Sequence, residues 1–93
     1  MRDEPLREAE AHRVIRSIIE DGEVEFWRHA LKEMAEDGLS QVDVLNVLRG
    51  GWPDPGEFEG GAWRYRVHTP KICVVVQLWS EENLAVVTAW RKK

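Results

Sequence analysis

The heptapeptide Gly50-Gly51-Trp52-Pro53-Asp54-Pro55-Gly56 places three glycines and two prolines in seven positions. Neither a helix interior nor a central strand tolerates that density of breakers, so the chain divides there. On the N-terminal side apolar residues recur at helical spacing. On the C-terminal side they alternate or run on continuously, as strands do. Helices followed by an antiparallel meander make a two-layer α+β domain. At 93 residues the chain has the length of one domain, with residues 1–22 read as an N-terminal helix and 23–93 as the α+β core.

Pro5 to Asp21 reads as a helix, with Leu6, Ala9, Val14, Ile15, Ile18 and Ile19 on one stripe and Asp21-Gly22 as its stop. Glu23 to Trp27 reads as a short strand or extended link. A second helix is expected from His29 to Asp37, its core side drawn from Ala30, Leu31, Met34 and Ala35 and its end marked by Gly38. Ser40 caps a third, Gln41 to Arg49, with Asp43 three residues on as in a capping box. Strands follow at Ala62–His68, Ile72–Trp79 and Leu84–Trp90, with a short leading strand at Phe58 and a sheet expected from about residue 57 onward. The β-branched run at Ile72–Trp79 suits a central strand buried on both sides. Leu31, Met34, Leu45, Leu48, Val74, Val76 and Val86 are the expected core.

The net charge of −4 conceals an asymmetry. Residues 1–61 carry 15 acidic and 7 basic side chains, whereas residues 62–93 carry 6 basic and 2 acidic. A cationic face built from the second half is a candidate anion site, although the acidic total opposes tight nucleic-acid binding. The longest apolar run, Ile72 to Val76, is far below the roughly 20 residues that span a bilayer. The start, Met1-Arg2-Asp3-Glu4-Pro5, has no apolar leader segment. A cytoplasmic domain with no membrane partner is the expectation.

Cofactor chemistry finds no foothold in the motifs. Gly50-Gly51 and Gly60-Gly61 lack the context of a phosphate-binding loop, and His12, His29 and His68 are too scattered for a two-histidine zinc signature. The lone Cys73 rules out an internal disulfide and an all-cysteine metal cage. No metal or other cofactor is expected, and Cys73 reads as a buried, inert thiol.

Acid–base and anion-binding residues are present. His29 opens the second helix, where the macrodipole disfavours the imidazolium and leaves a neutral ring able to take a proton. Lys32 and Glu33 follow at three and four residues, on the same flank. Arg64, Arg66 and His68 share one strand face, Lys71 follows the turn, and Arg91 continues the last strand. Arginine forks match phosphate oxygens, so this row can hold a phosphodiester; it can equally be a solvated sheet face. Trp63 and Trp90 can stack on bases or fill the core. Gln77 and Thr88 break apolar strands, either as satisfied sheet positions or as a site lining.

The stretch His29-Ala30-Leu31-Lys32-Glu33-Met34, followed by Gly38-Leu39-Ser40, resembles small bacterial domains of unknown function that carry His-Ala-x-x-Arg-Met and a Gly-Ile/Leu-Ser turn. Val47-Leu48-Arg49-Gly50, Tyr65-Arg66-Val67, Val74-Val75-Val76 and Val86-Val87-Thr88-Ala89-Trp90 match the later elements of that pattern in order, over about residues 23–91. Such domains are similar to RelE-like toxins, including the motility and quorum-sensing regulator type. The resemblance implies helices packed on a curved antiparallel sheet and a metal-independent RNA endonuclease of a toxin–antitoxin system, held inactive by an antitoxin protein. His29, Arg66, Thr88 and Trp90 fall on the pattern. Arg64 and Lys71 join the catalytic set through the strand reading, and Lys32 and Arg91 join Trp90 as RNA contacts. Glu33 departs from the pattern, standing where the family has arginine and placing a carboxylate where phosphate would be held. The contrasting expectation is a non-catalytic protein-interaction module of the same fold.

Overall fold

The computed structural model describes residues 4–93; Met1-Arg2-Asp3, on which part of the reading of the chain's start falls, lie outside the described residues. Helix α1 spans Glu8–Asp21, strand β1 Glu23–Phe26, α2 Arg28–Glu36 and α3 Gln41–Gly50. The strands β2 Trp52–Pro53, β3 Glu57–Glu59, β4 Ala62–His68, β5 Ile72–Leu78 and β6 Asn83–Arg91 complete the α+β architecture. The sheet runs β1-β6-β5-β4-β2, with β3 also paired to β4. No helix among the described residues is long and apolar enough to cross a membrane.

Two features depart from the sequence expectation. The sheet begins well before residue 57, because Glu23–Phe26 and Trp52–Pro53 both join it. It is also mixed, since β1 lies parallel to β6 while every other pair is antiparallel. Two helices and four strands intervene between β1 and its partner, which is ample for a crossover, but a four-residue strand carries no mark of which edge it will take. The first helix begins at Glu8 rather than Pro5. Leu6 is held short of it, its N–H donating to the buried Tyr65 hydroxyl at 2.9 Å while that hydroxyl donates to Glu4.

The α3 start follows its sequence signal. The Asp43 N–H donates to Ser40 Oγ at 3.0 Å, and the Ser40 N–H donates to Asp43 Oδ2 at 2.9 Å. Hydrogen bonds from the Ser40 backbone and then its side chain hold the Asp43 carboxyl below its ordinary range. That contribution to stability is present at neutral pH and is lost as pH falls through the lowered value.

One apolar cluster joins the helices to one sheet face, from Leu6, Ala11, Ile15 and Ile18 through Met34 and Leu48 to Tyr65, Val74, Val76, Val86 and Ala89. Leu31 and Leu45 are corrections to the expected core. Leu31 is 40% exposed and Leu45 half-buried, because Ala30 and Met34 form the inner stripe of α2 and Val44, Val47 and Leu48 that of α3. A leucine one position from such a stripe is turned about 100° away from it. β5 is the central strand and is buried from Cys73 to Leu78.

Candidate functional site

Strand register sets the composition of the sheet face opposite the core. Tyr65 and Val67 point into the core, so Arg64, Arg66 and His68 point the other way. Their cross-strand partners extend three rows over the open face: Arg64, Gln77 and Ala85; Arg66, Val75 and Thr88; His68, Cys73 and Trp90. A β-bulge leaves Val87 unpaired between the Val76–Val86 and Val75–Thr88 pairs and re-aims β6 there. Over these rows lies a groove of about 320 Å³, lined by Arg64, Arg66, Val75, Val87, Thr88 and Trp90 with Glu57, Phe58 and Glu59 at its rim.

Helix α2 stands beyond β6, next to the groove but contributing no residue to its lining. β1 occupies the edge of β6 only as far as Val86, and the Trp27 N–H donates to the Val86 carbonyl at 3.1 Å as the chain turns into the helix. Ala30 and Met34 enter the core, which places His29 and Glu33 on the flank facing the open side of β6. Glu33 joins the two elements. His29 Nε2 lies 3.1 Å from Glu33 Oε1, and the Thr88 hydroxyl donates to the same oxygen. The middle row therefore runs Arg66, Val75, Thr88, Glu33, His29. Two inter-strand steps separate Arg66 from Thr88, a backbone span of about 10 Å, and the Arg66 Nε is paired with Glu57 on the β3 side.

The histidine's chemistry follows from that contact. In the tautomer that gives its Nε2–H to Glu33, Nδ1 carries the lone pair that accepts a proton. His29 is 66% exposed, so a substrate hydroxyl can reach it.

Both arginines already carry carboxylates. The hairpin β3–β4 turns through Gly60 and Gly61, whose φ values of +63° and +83° suit a two-residue turn closed to β-branched side chains. That turn brings Glu59 to Arg64, at 3.3 Å from Nη1, and Glu57 to Arg66, at 3.2 Å from Nε. Arg64 is further fixed by Gln77 Oε1 at 3.2 Å and stacks over the Trp27 ring, 5.6 Å from its centroid. These two glutamates escaped the sequence reading, because their position depends on the pairing of a three-residue strand.

Other expected site residues lie elsewhere. Lys71 sits at the β4–β5 turn beside Asp43, Asn46 and Val47 of α3 and does not line the groove. Lys32 is exposed on α2. Arg91 closes the C-terminal end of α2: its N–H donates to Asp37 Oδ2 at 2.8 Å, its Nε to the Asp37 carbonyl at 2.9 Å and its Nη2 to the Gly38 carbonyl at 3.3 Å. A cation on the last carbonyls of a helix is a stabilising cap, and it engages the guanidinium away from the groove. Trp63 packs against the core and meets Phe58 edge-on at 5.3 Å.

At the far end of the face His68 links two strands and a loop, with Nε2 2.8 Å from Asp54 Oδ1 and Lys92 Nζ 3.0 Å from Nδ1. Its cross-strand neighbour Cys73 is 5% exposed, and burial pushes the thiol upward against the smaller opposing pull of Arg66 and Lys92. A neutral, covered thiol is a poor nucleophile. Iodoacetamide at pH 7.5 should therefore leave native Cys73 unmodified over times that fully alkylate the urea-unfolded chain; equal rates, read by mass spectrometry, would place the thiol at the surface.

No family model, curated protein or solved structure matches the chain.

Proposed function

We propose that the groove is the active site of a toxin-like, metal-independent RNA endonuclease with a RelE-like fold. The observation that carries this reading is the meeting of His29 and Thr88 on one Glu33 oxygen, which sets a proton acceptor on α2 beside the groove that Thr88 and Arg66 both line. RNA brings its own nucleophile, the ribose 2′-hydroxyl. His29 Nδ1 takes that proton, the oxygen attacks the adjacent phosphorus, and Arg66 with Arg64 holds the charge that builds on the phosphoryl oxygens. The P–O bond to the 5′-oxygen breaks and that oxygen takes a proton from solvent water, leaving a 2′,3′-cyclic phosphate and a 5′-hydroxyl, while the His29 imidazolium returns its proton to solvent. Thr88 and Glu33 keep the imidazole in register, and Trp90 walls the groove. An antitoxin protein that covers this face is the matching partner.

The test is cleavage of a mixed-sequence RNA in EDTA by the purified protein, with products resolved by end chemistry. Cyclic-phosphate ends that depend on His29 support the proposal, and intact RNA rejects it.

The ion pairs Glu57–Arg66 and Glu59–Arg64 favour a second reading, a protein-interaction module whose arginines are structural. The two readings differ in sign for one variant. In a nuclease the glutamates compete with phosphate, and releasing two exposed pairs worth about 0.2–1 kcal/mol each strengthens RNA binding roughly two- to thirtyfold. Glu57→Gln with Glu59→Gln should therefore lower KM for RNA. Unchanged RNA affinity would favour the interaction module.

A further inference from the structure

Two tryptophans outside the groove have no role in the reaction described above. Trp79 directly follows β5 at the mouth of the β5–β6 loop and is 56% exposed, an unusual setting for the largest side chain in a small domain. Its N–H donates to the Asn83 carbonyl at 2.9 Å, which fixes its backbone. Beside it stands Trp27, with ring centroids 6.5 Å apart and planes inclined by 43°. Arg64 connects this pair to the groove, because its guanidinium stacks over Trp27 while the same side chain lines the groove wall. Strand alternation explains the convergence: Phe26 and Leu78 face the core, so Trp27 and Trp79 project on the opposite side.

From this arrangement we infer that Trp27 and Trp79 form a stacking subsite for one unpaired base of single-stranded RNA, next to the phosphate held by Arg64 and Arg66. The inference rests on the proposed nuclease reading and narrows its substrate class. A sheet face that offers open aromatic rings beside arginines holds splayed bases by stacking and the backbone by charge. The inclined rings leave no slot between them, so the base lies on the exposed face of Trp79. In A-form duplex RNA the bases are already stacked and paired, and cannot present a face to that ring. An unpaired strand is thus the fitting occupant, and a duplex is rejected.

The test uses a twelve-nucleotide mixed-sequence RNA with 2′-methoxy groups, which blocks cleavage, and the same strand annealed to its complement. Binding is followed by intrinsic tryptophan fluorescence and by anisotropy of an end label, over a range of salt. The single strand should quench fluorescence and bind at least tenfold more tightly than the duplex. Trp79→Ala should weaken single-strand binding by about tenfold or more and remove part of the quench, whereas Trp79→Phe retains most of the affinity. Its log–log salt slope should match that of the wild type, because stacking displaces no counterions, while Arg66→Ala should flatten the slope by about 0.7. Full affinity in Trp79→Ala, with RNA bound through Arg66, would overturn the stacking subsite and leave the groove reading in place. Absence of RNA binding by the wild type would overturn both, and binding of a protein partner lost on Trp79→Ala would then reassign the aromatic pair to that partner.

Discussion

Truncating Met34 to alanine should destabilise the protein by about 2–5 kcal/mol, the range for removing a long buried side chain that its neighbours cannot replace. Met34 is 2% exposed and is the largest residue that α2 sends into the core. Little else there takes up the loss, since the other buried residue of α2 is Ala30. The N-cap position Trp27 makes no side-chain bond to the helix, and the first turn carries no acidic residue, so α2 depends on packing and on Arg91 at its far end. Set against a typical total of about 5–15 kcal/mol, the loss is a large share of stability. The consequence for the site is direct: α2 carries His29 and Glu33, so Thr88 loses its contact with Glu33 and the groove loses its neighbouring imidazole when the helix detaches from β6. Urea unfolding with circular dichroism checks the value, and a loss below about 1 kcal/mol would place Met34 outside the core.

The order of elements could be read from periodicity and punctuation because these are local properties. Ser40 and Asp43 specify the start of α3 within four residues, and the β-branched run at Ile72 marks a strand whatever surrounds it. Alternation also placed Arg64 and Arg66 on one face. Features that depend on long-range pairing were not legible. Glu57 and Glu59 reach the arginines only through the hairpin at Gly60-Gly61, and β1 takes its place beside a strand about sixty residues away. Arg91 and Lys71 illustrate the same limit for side chains. Both are cations on the basic half of the chain, yet one caps α2 and the other sits at a turn beside α3. Composition counts charges, but register and helix ends decide which of them meet. Leu31 shows the equivalent limit for apolar residues, since a helix stripe one residue wide admits Ala30 and Met34 and leaves their neighbour in solvent.

His29→Ala should lower RNA cleavage by about 10²–10⁴-fold, the usual contribution of a positioned general base, with the fold intact because the ring is mostly exposed. Arg66→Ala should cost about 10²–10³-fold through lost charge stabilisation in the transition state. The double variant should lose less than the product of the two, because a base without its charge-stabilising partner has little left to accelerate. Glu33 decides between two opposed effects. Its carboxylate repels phosphate across a solvent-exposed rim, an interaction that water and salt weaken. It also holds the His29 Nε2–H and the Thr88 hydroxyl, and so selects the tautomer whose Nδ1 accepts the proton. Orientation of the base is the larger effect. Glu33→Gln, which retains an accepting oxygen, should therefore lose less activity than Glu33→Arg, which offers His29 no acceptor. Single-turnover cleavage of one RNA by the four single variants and the double variant, each matched for thermal stability, provides the measurement. A rise in rate with Glu33→Arg would show that phosphate repulsion is the dominant effect, and full activity in His29→Ala would remove the imidazole from the mechanism.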